Sequence, residues 1–114
     1  MNDWVARARE LGVDDAIIVP TAKIAVGDWV RLKCQYGCSG YGESLTCPPY
    51  SPTPETTRRL LTFYSKGLLV RFDGSRGEDE HERLHRRLVG IIAELEREIF
   101  LEGDWRTWAM SSGP

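Results

Sequence analysis

The sequence predicts an α/β fold: a small sheet of about three to four strands covered by helices, with a long cysteine-bearing loop. Three observations carry that reading. Two compact apolar runs, Ala16-Ile17-Ile18-Val19 and Leu68-Leu69-Val70-Arg71-Phe72, have the length and residue types of buried strands. Residues 79–101 place Leu84, Leu88, Ile91, Ile92, Leu95 and Ile99 on one helical face. Between these elements, residues 35–53 show neither period and carry three glycines and three prolines. A structureless stretch of that length is uncommon in a compact domain unless it has a function.

The elements follow in chain order. Trp4, Val5, Ala8 and Leu11 recur at helical spacing, and Gly12 stands where a C-capping glycine belongs, so a helix spans about residues 3–11. The strand at 16–19 is stopped by Pro20, residues 24–26 extend or pair with it, and Gly27-Asp28 reads as a turn. In Trp29-Val30-Arg31-Leu32-Lys33-Cys34 apolar and charged residues alternate at period two, which predicts a half-buried strand with Val30, Leu32 and Cys34 facing inward. After the loop, Thr53 and Pro54 form a helix start, Leu60, Leu61 and Tyr64 supply its apolar stripe, and Gly67 ends it. The strand at 68–72 and a polar loop from Asp73 to Asp79 lead into the longest helix. The tail Trp105-Arg106-Thr107-Trp108-Ala109-Met110 is apolar enough to pack. Alternation of helices with strands favours one layered domain over residues 1–114, with no repeat or internal boundary.

Composition narrows the function classes. Hydrophobic residues make up 41% and charged residues 28% of the 114, as in an ordinary soluble domain. A net charge of −2 argues against non-specific binding to nucleic acid or anionic membrane. No apolar run approaches the roughly 20 residues of a membrane span, and the start Met1-Asn2-Asp3-Trp4 lacks the order of a secretory signal. The expected compartment is the cytoplasm, where clustered thiols bind metal or do redox chemistry more often than they form bridges.

All three cysteines of the chain, Cys34, Cys38 and Cys47, fall in fourteen residues. An odd number cannot make a closed disulfide framework. Thiolates are soft donors for zinc, copper(I) and iron–sulfur clusters, and the Cys34–Cys38 spacing lies within the range of a pair that bites one ion. Cys47 returns to the same centre through a loop in which Gly37, Gly40 and Gly42 can adopt positive φ and turn N–H groups inward, where sulfur needs donors. Cys47-Pro48 resembles the end of the bacterial ferredoxin ligand run, though the spacings before it differ. These residues favour a metal centre, an iron–sulfur cluster or a zinc ion with a fourth donor, and the spacing alone does not decide which. Buried cysteines packing as small hydrophobes, and a redox switch between Cys34 and Cys38, are the competing readings. Tyr36, Tyr41 and Tyr50 flank the site, with loop packing the simplest reason for them.

A second pattern is His81-Glu82-Arg83-Leu84-His85, the H-E-x-x-H spacing of zinc hydrolases. Its neighbours Asp79, Glu80, Arg83, Arg86 and Arg87 are too charged for a buried catalytic helix, so a metallohydrolase ranks below the cysteine site. The two histidines read first as polar ends of the buried stripe, and one of the rings completing the cysteine site is a further expectation. Arg58-Arg59 and Arg86-Arg87 read as solvated faces, because basic and aromatic residues do not interleave on one element. No phosphate loop or dinucleotide fingerprint occurs.

Two blocks carry a family likeness. Val30-Arg31-Leu32-Lys33-Cys34, with Tyr41-Gly42 and Cys47-Pro48-Pro49-Tyr50-Ser51-Pro52-Thr53-Pro54-Glu55, resembles a prokaryotic cysteine-rich domain-of-unknown-function family described as predicted metal-binding proteins. Leu95-Glu96-Arg97-Glu98-Ile99-Phe100-Leu101-Glu102-Gly103 is similar to that family's second landmark. The likeness runs from about residue 15 to the end and implies cysteine-ligated metal, plausibly an iron–sulfur cluster, at Cys34, Cys38 and Cys47. It implies no established reaction. Members of that family continue past a Gly-Pro into a further cysteine-rich stretch, whereas the sequence here stops at Gly113-Pro114. The expectation is a shortened member, or a site whose fourth ligand comes from such a stretch, from His81 or His85, from another chain or from an exogenous ligand. A binding or electron-transfer role, alone or in a larger complex, needs only the cysteines and a redox partner protein or a second copy. An enzyme would also need an open coordination position and a titratable group in a pocket.

Overall fold

The computed structural model describes residues 3–45, 47–73 and 78–110, the last of these without the side chains of 78–82. Its elements run α1 (Trp4–Leu11), β1 (Asp15–Pro20), a 3-10 turn (Thr21–Lys23), α2 (Asp28–Gly37), α3 (Pro54–Leu61), β2 (Lys66–Arg71) and α4 (Glu78–Leu101). The class is α/β, but the sheet has two strands among the described residues, fewer than the three to four expected. Residues 24–26 add no strand, and residues 29–34 are helical. The expected loop between Asp73 and Asp79 falls mostly outside the described residues.

The chain divides into two compact units, residues 1–18 with 68–114 and residues 19–67. The first unit holds α1, α4 and most of the β1–β2 pairing. Helix α1 begins because the Asp3 carboxylate accepts the N–H of Ala6 at 3.1 Å, satisfying one orphan donor of the first turn. It ends at Gly12, whose φ of 115° lets its N–H and that of Val13 reach back to the carbonyl of Ala8. That turn aims the chain into β1, and Asp14 opens the antiparallel pairing by donating its N–H to the Arg71 carbonyl at 3.0 Å. Asp14 also accepts the N–H of Asp73 at 2.6 Å, fixing the exit of β2.

The core of this unit is Ala8, Val13, Ala16, Ile91 and Leu95, with Trp4, Val5, Leu11, Leu68, Val70 and Phe72 packed against it. Ile91 and Leu95 are one turn apart on α4, as the sequence stripe requires. The Arg87 guanidinium, one turn before Ile91, lies over the Phe72 ring at 5.5 Å. The tail returns along the same helix, its Ala109 N–H donating to Glu96 Oε2 at 2.7 Å. Trp105 nevertheless stays exposed, so the expected packing of the tail holds only in part.

The second unit contains the 3-10 turn, α2, the cysteine loop and α3. Thr53 caps α3 by accepting the N–H of Thr56 at 3.1 Å, with Pro54 in the first turn, as the sequence reads. The helix stops at Leu61, however, and Gly67 lies in β2 rather than at the helix end. Tyr64 therefore stands beyond the helix, with its N–H on the Leu61 carbonyl and its own carbonyl accepting the Thr21 hydroxyl.

Candidate metal centre

Helix α2 is the main departure from the sequence reading. It opens at Gly27 with Asp28 in its first turn, where a negative charge suits the helix dipole, so the Gly27-Asp28 pair starts a helix instead of making a turn. The period-two pattern had put Val30 and Leu32 inside, yet they are 55% and 53% exposed. No residue of α2 is buried. Cys34 accordingly projects from a helix rather than from a strand end.

This change of element alters how the thiols are presented. Arg31, Cys34 and Cys38 stand at i, i+3 and i+7, which is one stripe of a helix. Cys38 is the C-cap, and its N–H still bonds to the Cys34 carbonyl at 3.3 Å, so the stripe runs through it. Cys34 is half-buried and Cys38 exposed.

Beyond α2 the chain turns repeatedly. Tyr41 N–H reaches the Cys38 carbonyl, Glu43 the Gly40 carbonyl and Cys47 the Ser44 carbonyl. Gly42, at φ 75°, turns its N–H onto the Pro48 carbonyl at 2.9 Å and so closes the segment that contains Cys47. Of the three loop glycines expected to take positive φ, Gly42 does; Gly37 belongs to α2, and Gly40 does not.

Cys47 is held on both sides. Its carbonyl accepts the N–H groups of Tyr50 at 2.9 Å and Ser51 at 3.1 Å, and the Ser44 hydroxyl donates to its sulfur at 3.2 Å. Arg31 then joins the two halves of the unit: its guanidinium donates to the Pro49 carbonyl at 3.1 Å and the Pro52 carbonyl at 3.3 Å. Sequence reasoning missed Arg31 and Ser44 as site residues. The three-residue spacings Arg31–Cys34 and Ser44–Cys47 were the available signal, and the strand reading turned Arg31 away from Cys34.

All three cysteines are free thiols in the same unit. Sulfur donors of this kind, with at least one exposed, suit a soft metal ion or cluster. Among the described residues, no three Cys, His, Asp or Glu side chains stand close enough together to hold one ion. The flanking Tyr36 and Tyr50 are exposed and Tyr41 half-buried.

The H-E-x-x-H segment lies in α4 of the other unit. His85 is half-buried there, while the side chains of His81 and Glu82 are outside the described residues. A concavity of about 430 Å³ in the second unit is lined by Thr21, Ile24, Val26, Arg58, Leu61 and Tyr64, among others. The polar groups of Thr21 and Arg58 are engaged within the unit: Thr21 donates to the Tyr64 carbonyl, and Arg58 to the Val26 carbonyl and the Asp28 carboxylate. No helix among the described residues is long and apolar enough to cross a membrane.

Residues 17–114 match the model of a family described as Predicted metal-binding protein (DUF2284). No curated protein and no solved structure matches the chain.

Proposed function

The chain belongs to this predicted metal-binding family, and on that premise we propose that Cys34, Cys38 and Cys47 hold an iron–sulfur cluster in a single cytoplasmic metal-binding domain. One observation carries the reading: Cys34 and Cys38 lie on one stripe of α2, and Arg31 on the same stripe bonds to carbonyls two and five residues past Cys47. Cysteine thiolates clustered on one short segment are the usual ligands of such clusters. When bound, the cluster supplies one-electron transfer at a potential set by hydrogen bonds to sulfur and by solvent exposure. Around it, Ser44 offers a hydroxyl to the Cys47 sulfur, and the turns at Gly42 and Cys47 fix the loop. Because the three thiols are not gathered in the described structure, ligation by all of them requires the 38–47 segment to rearrange, which couples binding to folding. A redox partner protein or a second copy of the chain is the natural recipient of the electron.

Anaerobic purification tests the reading. The expected protein is brown, contains iron and acid-labile sulfide, and bleaches on reduction. Colourless protein carrying one zinc per chain would replace the cluster with a structural or interaction site. Metal-free protein after expression with either metal in excess would remove the site altogether.

A further inference from the structure

We infer that Arg31 is the positioning residue of the cysteine site, the clasp that ties the segment following Cys47 to the helix stripe bearing Cys34 and Cys38; the inference rests on the metal-binding reading above. Arg31 stands three residues before Cys34, so both project from one face of α2. Its two terminal nitrogens donate separately, Nη2 to the Pro49 carbonyl and Nη1 to the Pro52 carbonyl. These acceptors lie two and five residues beyond Cys47. One guanidinium therefore ties α2 to the segment that follows Cys47.

The turn from Gly42 to Pro48 closes the loop on itself, whereas Arg31 ties that loop to the helix. Only a planar fork of fixed geometry meets two carbonyls three residues apart in this way, which lysine, a single flexible donor centre, does not reproduce. The clasp also places a permanent positive charge on the cysteine-bearing face. Core packing does not explain the residue, since Arg31 is half-buried and no residue of α2 is fully buried. Arg58 provides an internal comparison. It too joins separated segments of the same unit, through the Val26 carbonyl and the Asp28 carboxylate, but at the start of α2 and away from Cys47.

Cobalt(II) titration of the reduced, metal-free full chain under anaerobic conditions, against a competing chelator, tests the assignment. The thiolate-to-cobalt charge-transfer band reports sulfur ligation directly. The wild type is expected to give the band, and Arg31→Ala to weaken apparent affinity by about 10- to 100-fold, the usual effect of removing a group that orients ligands. Arg31→Lys should recover part of that loss, since it keeps the charge and loses the fork. Arg58→Ala should bind as the wild type does. Circular dichroism of each metal-free variant identifies any that fails to fold. Wild-type affinity in a folded Arg31→Ala protein would overturn the clasp and leave the cysteine site standing. An equal loss in Arg58→Ala would also overturn it, because the effect would then belong to the unit as a whole. A wild type that gives no charge-transfer band would overturn the clasp, while the cluster reading stands or falls by the iron and sulfide content of the anaerobically purified protein.

Discussion

Arg7 of α1 and Glu98 of α4 form a two-pronged ion pair, with Nε to Oε1 at 2.8 Å and Nη2 to Oε2 at 2.9 Å. It joins helices separated by most of the chain, and matches the planar fork of arginine to a carboxylate. The hydrogen bonds that Arg7 donates to Glu98, and then to Glu10, hold its guanidinium further above its already high ordinary range. Glu98 is the better shielded partner, its side chain 20% exposed against 38% for Arg7.

A double-mutant cycle of Arg7→Met and Glu98→Gln should therefore give a favourable coupling energy in urea denaturation. The coupling should shrink between low salt and about 1 M salt, where the Debye length falls to about 3 Å. Zero coupling at low salt would reduce the pair to a surface contact.

Leu95 lies at the centre of the first unit, 4% exposed among Ala8, Val13, Ala16 and Ile91. Leu95→Ala should cost about 2–5 kcal/mol, because the lost contacts and the cavity add. Leu69, 57% exposed on β2, serves as the control. Leu69→Ala should stay within about 0.5 kcal/mol, the range of ordinary surface changes. Chemical denaturation of both variants measures the contrast.

The first unit was largely legible in the sequence because its elements bury one side. Ile91 and Leu95 of the expected stripe meet a core, and Gly12 caps α1 as its residue type dictates, as Thr53 caps α3 in the second unit. Helix α2 was misread for the opposite reason. With no buried face, nothing selects between the alternation of Val30, Leu32 and Cys34 and the equally present i, i+3, i+7 row of Trp29, Leu32 and Tyr36. The importance of the cysteine segment was legible from its residue types alone. Its support by Arg31 was not, since that contact spans 18 to 21 residues.

Acid should weaken the fold through specific exposed pairs. The hydrogen bond from Arg9, reinforced by the N–H of Ala16, holds the Asp15 carboxyl below its ordinary value, and Arg97 does the same for Glu94. A carboxyl whose folded pKa is depressed contributes stability that is complete above its unfolded pKa of about 4. That contribution disappears as pH falls through this value toward the folded one. Thermal midpoints should thus be level near neutrality and fall below about pH 4, with Asp15→Asn flattening part of the decline. Both carboxylates are solvent-accessible, so the effect of each should be modest and smaller in high salt. An identical slope in Asp15→Asn and wild type would remove Asp15 from the account.

Cys47→Ser separates a ligand from a packing residue. Serine keeps nearly the same shape but offers a hard oxygen in place of a soft thiolate, so metal content should fall while the loop's backbone bonds to Tyr50 and Ser51 survive. Metal bound to the native state alone stabilises it by about 2.7 kcal/mol when free metal exceeds Kd a hundredfold. The wild type should therefore melt at a higher temperature when loaded than after chelation, and Cys47→Ser should lose most of that difference. Its metal-free form should melt close to metal-free wild type, because Cys47 is only half-buried and its backbone bond to the Ser44 carbonyl does not depend on the sulfur. Elemental analysis and paired melts, with and without chelator, measure both. Full metal occupancy in the variant would take Cys47 out of the site, whereas an equal drop in both forms would make it a structural residue.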